Sequence, residues 1–467
     1  MKHLPLSLLL LCLPTVLSAA SPPQRPNILV MIADDLGDGD VSCLSRSVVK
    51  TPNIDRLAQM GVKFTAGYVV SPLCAPSRAG YFSGLYPQRY GFKNNNGTLP
   101  ADLPLLPDVL HQAGYVTGLL GKWHSRGPRP HQRGSFDETL CYFGPFLDYH
   151  HPNLVRNGKP EASSEYSTDL FAREAELFLE KHRDRPFFLT VAFNAPHIIR
   201  VLKPAVQIRQ EYDAAVAAGN ILDVPKVPMA RPGDAAKFAA QFPGDSARAD
   251  TVATIVALDQ AVGRILDKLQ QTGLDRHTIV FFFSDNGGHP ENRSENLPLR
   301  DYKWSFYEGG VRVPFFAVYP GVFPAGREFA QPVSTLDIFP TCAALAGAKP
   351  PANLDGVDLT PYLKGEKAMP PHNTLFFCLG PNGAVRQDRW KLVVPAGGAP
   401  QLFDLSQDLE ETHDLAATEP RRVKELKAKW ESWFAQMPAG PPAAEQDGGK
   451  PEPHRPAKKA AAGADAD

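Results

Sequence analysis

Three short clusters carry residue types that do chemistry. Asp34-Asp35 follows the apolar run Asn27 to Ala33, NILVMIA. Adjacent carboxylates repel, so a cation or strong donors must offset them, and hard divalent metals with oxygen ligands do this well. An Asp-rich turn or a helix cap would use the same residues. Ser284-Asp285-Asn286-Gly287-Gly288 follows a second apolar run, Thr278 to Phe283. There the Asn carbonyl offers a neutral oxygen ligand, and the glycines let the backbone turn tightly. Two strand ends with oxygen ligands predict a Ca2+ or Mg2+ site at Asp34, Asp35, Asp285 and Asn286. No His/Cys cluster suggests zinc. The third cluster, Cys74-Ala75-Pro76-Ser77-Arg78, lies between the other two in SPLCAPSRAGYFSGLYPQRY, residues 71–90.

The elements that must position these residues alternate. Asn27 to Ala33, Tyr115 to Leu120, Phe187 to Phe193, Thr278 to Phe283 and Pro314 to Tyr319 read as buried strands. Helical patterns run from Asn53 to Met60, from a Thr168 cap to about His182, and from Thr251 to Gln271. This predicts an α/β fold with a large, mostly parallel central sheet flanked by helices, its ligand site beyond the carboxyl ends of the strands. From about Pro370 short strand candidates (Thr374 to Leu379, Gly383 to Arg386, Trp390 to Val394, Gln401 to Leu405) and a helix, Glu419 to Met437, predict a small C-terminal antiparallel sheet with one helix. The expected organisation is a signal peptide over 1–20, a catalytic domain over 24–365, a small α+β subdomain over 366–437 and a disordered Pro/Ala/Gly-rich tail over 438–467.

Composition narrows the function. Of 467 residues, 43% are apolar and 21% charged, ordinary globular usage. With 49 basic and 50 acidic residues the net charge is −1, so no global field draws in nucleic acid. Lys2 and His3, the apolar stretch Leu4 to Leu13 and Ser18-Ala19-Ala20 read as a secretory signal too short to span a bilayer. The expected product is an exported protein, periplasmic or secreted, without a membrane span. Cys43, Cys74, Cys141, Cys342 and Cys378 follow the signal, an odd number that leaves at least one thiol unpaired or chemically special. Asn96-Gly97-Thr98 and Asn292-Arg293-Ser294 match the glycosylation acceptor pattern.

Cys74-Ala75-Pro76-Ser77-Arg78 resembles the C-x-P-S-R pattern of the type I, formylglycine-dependent sulfatases of the alkaline-phosphatase-like superfamily. Further matches follow in the family's order: Gly121-Lys122-Trp123-His124, Ala195-Pro196-His197, Leu299-Arg300-Asp301-Tyr302-Lys303, and Tyr307-Glu308-Gly309-Gly310-Val311-Arg312-Val313-Pro314. Val385 to Leu392 and Leu402-Phe403-Asp404-Leu405 resemble the family's C-terminal sheet. The likeness covers about residues 25–437. It implies an enzyme, a sulfuric ester hydrolase acting on sulfated carbohydrates or aryl sulfates. It also implies a formylglycine-generating or other sulfatase-modifying enzyme that converts Cys74 to 3-oxoalanine.

The resemblance also implies roles. One Ca2+ sits among Asp34, Asp35, Asp285 and Asn286, with modified Cys74 touching it. Arg78 steadies the modified residue. Lys122, His197 and Lys303 surround the sulfate and the bridging oxygen, His197 protonating the leaving alcohol with help from Lys303. His124 takes the proton that lets sulfate leave. Glu308 is expected to support its loop through hydrogen bonds, and His131, His150, His151 and His289 to lie at the surface or the substrate edge. Some positions depart from the family pattern: Ser83-Gly84 stands for Thr-Gly, Ser125-Arg126 for Leu-Gly, Ile198-Ile199-Arg200 for a proline-containing segment, and one expected sulfate-contacting serine has no match. Arg126 and Arg200 are candidate contacts for an acidic sugar or a second sulfate. A phosphate mono- or diester hydrolase of the superfamily is one alternative. A non-catalytic sulfated-glycan-binding protein with unmodified Cys74 is another.

Overall fold

The computed structural model describes residues 25–45, 47–198 and 228–438. The signal sequence, Arg200 and nearly all of the Pro/Ala/Gly-rich tail lie outside the described residues. Among the described residues sixteen strands are formed: β1 Asn27–Ala33, β2 Val62–Phe64, β3 Gly67–Tyr68, β4 Val116–Lys122, β5 Glu138–Tyr142, β6 Asn153–Arg156, β7 Lys159–Ala162, β8 Phe187–Ala192, β9 Thr278–Ser284, β10 Phe315–Val318, β11 Arg327–Phe329, β12 Val333–Ser334, β13 Thr374–Leu379, β14 Asn382–Gln387, β15 Trp390–Val394 and β16 Gln401–Asp404. Ten of them build one sheet in the order β11-β2-β10-β9-β1-β8-β4-β5-β6-β7.

The centre of that sheet, β9-β1-β8-β4-β5, is parallel. Antiparallel pairs flank it, with β10 against β9 and β2 on one side and β5-β6-β7 on the other. The reason for a buried parallel centre is visible in its alternation. Leu29, Met31 and Ala33 of β1 join one apolar core, while Ile28, Val30 and Ile32 join the other. Each face is covered by helices. Ser167–Lys181 and Ser246–Gln271 press Phe171, Phe178, Ile255 and Leu258 onto the first, and Cys74–Ser83 and Ile338–Leu345 press Tyr81, Phe82 and Phe339 onto the second. Each such buried side chain is worth about 1.5–3 kcal/mol.

Several helix ends differ from the sequence reading. The long helix starts at Ser246 rather than Thr251, because the Asp245 carboxylate accepts the Arg248 N–H and caps it. Thr168 is not a cap: the helix begins at Ser167, so Thr168 lies inside its first turn. The last helix spans Pro420–Phe434, shorter than expected at its C-terminal end.

The small sheet β13-β14-β15-β16 is antiparallel throughout. Its helix, Pro420–Phe434, sets Leu426 and Trp430 on Val385, Leu392 and Leu402. On its other face Leu375, Phe377 and Phe403 share a core with Tyr68, Phe306 and Val311 of the larger unit. The five described cysteines are all unpaired thiols. Asn292 is fully buried with its amide donating to Pro196 O and Ser294 Oγ, so the second acceptor pattern is closed to glycosylation.

Candidate active site

The parallel order β9-β1-β8-β4 puts four strand ends side by side on one edge of the sheet, where open α/β sheets bind ligands. Asp34 and Asp35 leave β1, Asp285 leaves β9, Lys122 ends β4 and His197 lies in the loop after β8. Backbone bonds tie these loops together. The Asp34 N–H donates to Ala195 O at 3.0 Å and the Asp285 N–H to Ala33 O at 3.1 Å. Asp35 adopts φ 67°, which a short polar side chain tolerates. The Gly287 turn touches the Glu308-Gly309-Gly310 segment so closely that a Cβ there would lie 1.8 Å from Gly309 O.

Cys74 opens the helix Cys74–Ser83, with Pro76 in the first turn, where no backbone donor is required. Ligand atoms of Asp34, Asp35, Cys74 and His197 lie within 4.8 Å of one another, all buried. Cations close around the acids. Lys122 Nζ is 2.6 Å from Asp34 Oδ2, Lys303 Nζ is 2.7 Å from Asp35 Oδ1, and Arg78 Nε is 2.7 Å from Asp285 Oδ2. His197 Nε2 stands 3.5 Å from Asp35 Oδ2, while its Nδ1 faces Ile198 O at 2.7 Å. Asn286 Nδ2 donates to Asp35 Oδ1 at 2.7 Å, which leaves its carbonyl oxygen turned elsewhere. Asp34 Oδ1, Asn286 Oδ1 and His124 Nδ1 are buried without a hydrogen-bond partner. Buried polar atoms are nearly always paired, so each marks a place for a further group.

Electrostatics sort the site by charge state. Burial opposes ionised Asp34 and Asp35. Lys122 outweighs it for Asp34, whose carboxyl falls below the usual range, and Lys303 holds Asp35 at about 2. At Asp285 burial wins over Arg78, and the carboxyl rises to about 7. Burial pushes the Cys74 thiol up. It drives His124 well below the ordinary histidine value, with Lys122 adding to it, and lowers His197 to about 4 against Asp35 and Asp34. Lys303 rises because Asp35 outweighs its burial.

The structure thus brings together the residues the sequence singled out: Asp34, Asp35, Cys74, Arg78, Lys122, His197, Asp285, Asn286 and Lys303 are joined by the contacts above. His124 is 5% exposed, and the charges that act on it are those of Lys122, Asp34, Arg78 and Lys303. Arg126 is exposed and bonds Asn96 Oδ1. His289, expected at the surface or the substrate edge, is 3% exposed because Trp304 packs on it with ring centroids 4.5 Å apart. Sequence reasoning missed Trp304, Phe146 and the buried Lys391. Glu308 does hold its loop, accepting from Tyr68 and Lys391 at 2.6 Å each.

The sulfatase family profile matches residues 26–348, across all of these strand ends. The chain belongs to the sulfatase family. A second profile, the C-terminal region of N-sulphoglucosamine sulphohydrolase, matches residues 300–437. The sulfatase is 34% identical over 391 residues to N-acetylgalactosamine-6-sulfatase of Canis lupus familiaris, covering 75% of this chain and 68% of that one. It is 31% identical to arylsulfatase A of Bos taurus, covering 93% and 92%. Among solved structures, Ps i-CgsB in complex with k-i-k-neocarrahexaose superposes with a TM-score of 0.79 at 31% identity, covering 91% of this chain and 96% of that one. The sulfatase is therefore an enzyme, a sulfuric ester hydrolase of alkaline-phosphatase-like fold. Among the described residues no helix is long and apolar enough to cross a membrane.

Proposed function

We propose that this sulfatase hydrolyses sulfate monoesters of carbohydrates through a formylglycine made from Cys74, beside a Ca2+ held by Asp34, Asp35, Asp285 and Asn286. The observation that carries the reading is the convergence of Cys74 with Asp34, Asp35 and His197 at the strand ends. The donor set fits a hard cation. Asp34 Oδ1 and Asn286 Oδ1 are buried oxygens without partners. Asp34, Asp35 and Asp285 are answered by Lys122, Lys303 and Arg78. A divalent ion held there would tip that balance toward an anionic ester.

When bound, Ca2+ supplies Lewis-acid polarisation of a sulfate oxygen. Once Cys74 is modified, its hydrated aldehyde would supply an oxygen nucleophile and a second hydroxyl for expelling sulfate. The chain does the rest. Lys122 and Lys303, charged and dehydrated, stabilise negative charge that grows on sulfate and bridging oxygen. Neutral His124, with Nδ1 unpartnered, accepts the proton of the second hydroxyl. His197, with Nε2 3.5 Å from Asp35 Oδ2, is placed to protonate the departing alcohol as imidazolium. The modifying enzyme is a partner this scheme requires, and the N-terminal Leu4 to Leu13 pattern supports export.

Similarity to the N-acetylgalactosamine-6-sulfatase and to the structure holding neocarrahexaose supports a sugar ester over a small aryl ester. The test is sulfate release from a panel of sulfated mono- and oligosaccharides, with chelated enzyme as a second arm. Release that falls on chelation and returns with Ca2+ is the expected result. Release from aryl phosphates in preference to every sulfate ester would overturn the reading.

A further inference from the structure

Four rings from three loops make a chain of contacts that includes the leaving-group acid His197. Phe146 lies 5.3 Å from the His197 ring, His197 lies 6.4 Å from His289, and His289 lies 4.5 Å from Trp304, centroid to centroid. The two inner rings are buried, His197 at 6% and His289 at 3% exposure, while Phe146 and Trp304 at the ends are partly exposed. The row is rigidly built. His289 Nδ1 accepts the Glu291 N–H, and the Tyr149 hydroxyl reaches the backbone oxygens of Asn194 and His197.

Trp304 is the unusual member. It follows Lys303, which grips Asp35, and its backbone N–H donates to Pro72 O just ahead of Cys74. Its φ is +75°, a region that bulky residues avoid. Strained backbone persists where the surroundings hold it, and it collects at ligand sites. A tryptophan whose packing alone mattered could be buried in ordinary backbone. This one is held in the left-handed region with part of its indole open to solvent.

We propose that Phe146 and Trp304 are specificity-determining residues that bracket the alcohol side of the substrate and pack against the apolar C–H faces of its sugar ring. The proposal rests on the carbohydrate reading above. A sugar ring presents polar edges and apolar faces, so a partly exposed aromatic ring that keeps its shape suits it at low entropy cost. The position follows from His197. A group that protonates the bridging oxygen must stand where the alcohol leaves, and Phe146 packs on His197 directly while Trp304 reaches it through His289.

The experiment uses the matured enzyme and its Trp304→Ala, Trp304→Phe and Phe146→Ala variants. Substrates are N-acetylgalactosamine 6-sulfate and a sulfated galactan oligosaccharide, whichever turns over better. Inorganic sulfate, which has no ring, serves as competitive inhibitor. Trp304→Ala and Phe146→Ala should each raise KM about tenfold with a smaller change in kcat, as loss of an aromatic contact does. The inhibition constant of sulfate should stay put, and Trp304→Phe should recover most of the KM. An unchanged KM in both alanine variants overturns the proposal. So does a sulfate inhibition constant that weakens in step with KM, because the rings would then be holding the sulfate pocket together. If the unaltered enzyme releases sulfate from no saccharide ester, the functional reading and this cleft fall together. If it does and KM ignores both rings, the cleft alone falls.

Discussion

Two buried charge clusters lie on either side of the Glu308-Gly309-Gly310 turn, and they are finished differently. In the structural one, between the large unit and the C-terminal sheet, both oxygens of Glu308 are used. Lys391 donates to Oε1, and Tyr68 and Arg312 donate to Oε2. The Glu308 N–H donates to Glu411 Oε2 at 2.6 Å, Lys391 Nζ lies 3.1 Å from Glu411 Oε1, and Arg386 bonds the Tyr68 hydroxyl. In the strand-end cluster Asp34 Oδ1, Asn286 Oδ1 and His124 Nδ1 face no partner. Both oxygens of Glu308 are answered from within the chain, although Glu411 Oε1 and Arg386 Nε beside it make no hydrogen bond. Asp34 is answered at only one of its two oxygens, which is where the proposed ion would bind. Stability should therefore depend on the first cluster and turnover on the second.

That division can be broken in order of effect. Cys74→Ala should abolish sulfate release while the variant melts close to the unaltered protein; substantial release would refute the nucleophile assignment. His124→Ala should lower kcat by about 10²–10⁴, with urea unfolding little changed. Lys391→Met should do the reverse, since it removes the donor to Glu308 Oε1 and the cation beside Glu411. Its cost should be about 3–5 kcal/mol in urea unfolding, with turnover retained by the folded fraction. A kcat loss larger than the stability loss would dissolve the contrast.

The smallest effect is a pH slope. Burial, with Glu308 adding to it, raises the Glu411 carboxyl from 4.5 to about 7 against the pull of Lys391. Protons then bind the folded state more tightly than the unfolded one. This contribution is full below pH 4.5 and is lost as pH climbs through about 7. Glu411→Gln should flatten unfolding free energy measured across that interval, and an unchanged slope would exclude the group.

Much of this was legible because burial on both faces makes a parallel strand locally recognisable. NILVMIA is β1 residue for residue, and the acid after each of β1 and β9 lies at the ligand edge. The sheet margins were not legible. β7 is Lys159–Ala162, KPEA, polar and interrupted by proline, and only its pairing with β6 makes it a strand. The Lys391–Glu308 contact joins residues 83 positions apart, and neither segment signals the other. The ring row is opaque for the same reason. Phe146, His197, His289 and Trp304 become neighbours only when three loops meet. The helix begun by Cys74 was hidden by Pro76, which reads as a turn former until its place in the first turn is seen.

Mass spectrometry of the peptide bearing residue 74, taken from natively matured and active protein, tests the account most directly. Conversion of thiol to aldehyde lowers the peptide mass by about 18 Da, and the account predicts that the active fraction carries it. Protein that releases sulfate at full rate with an intact thiol at that position would contradict it.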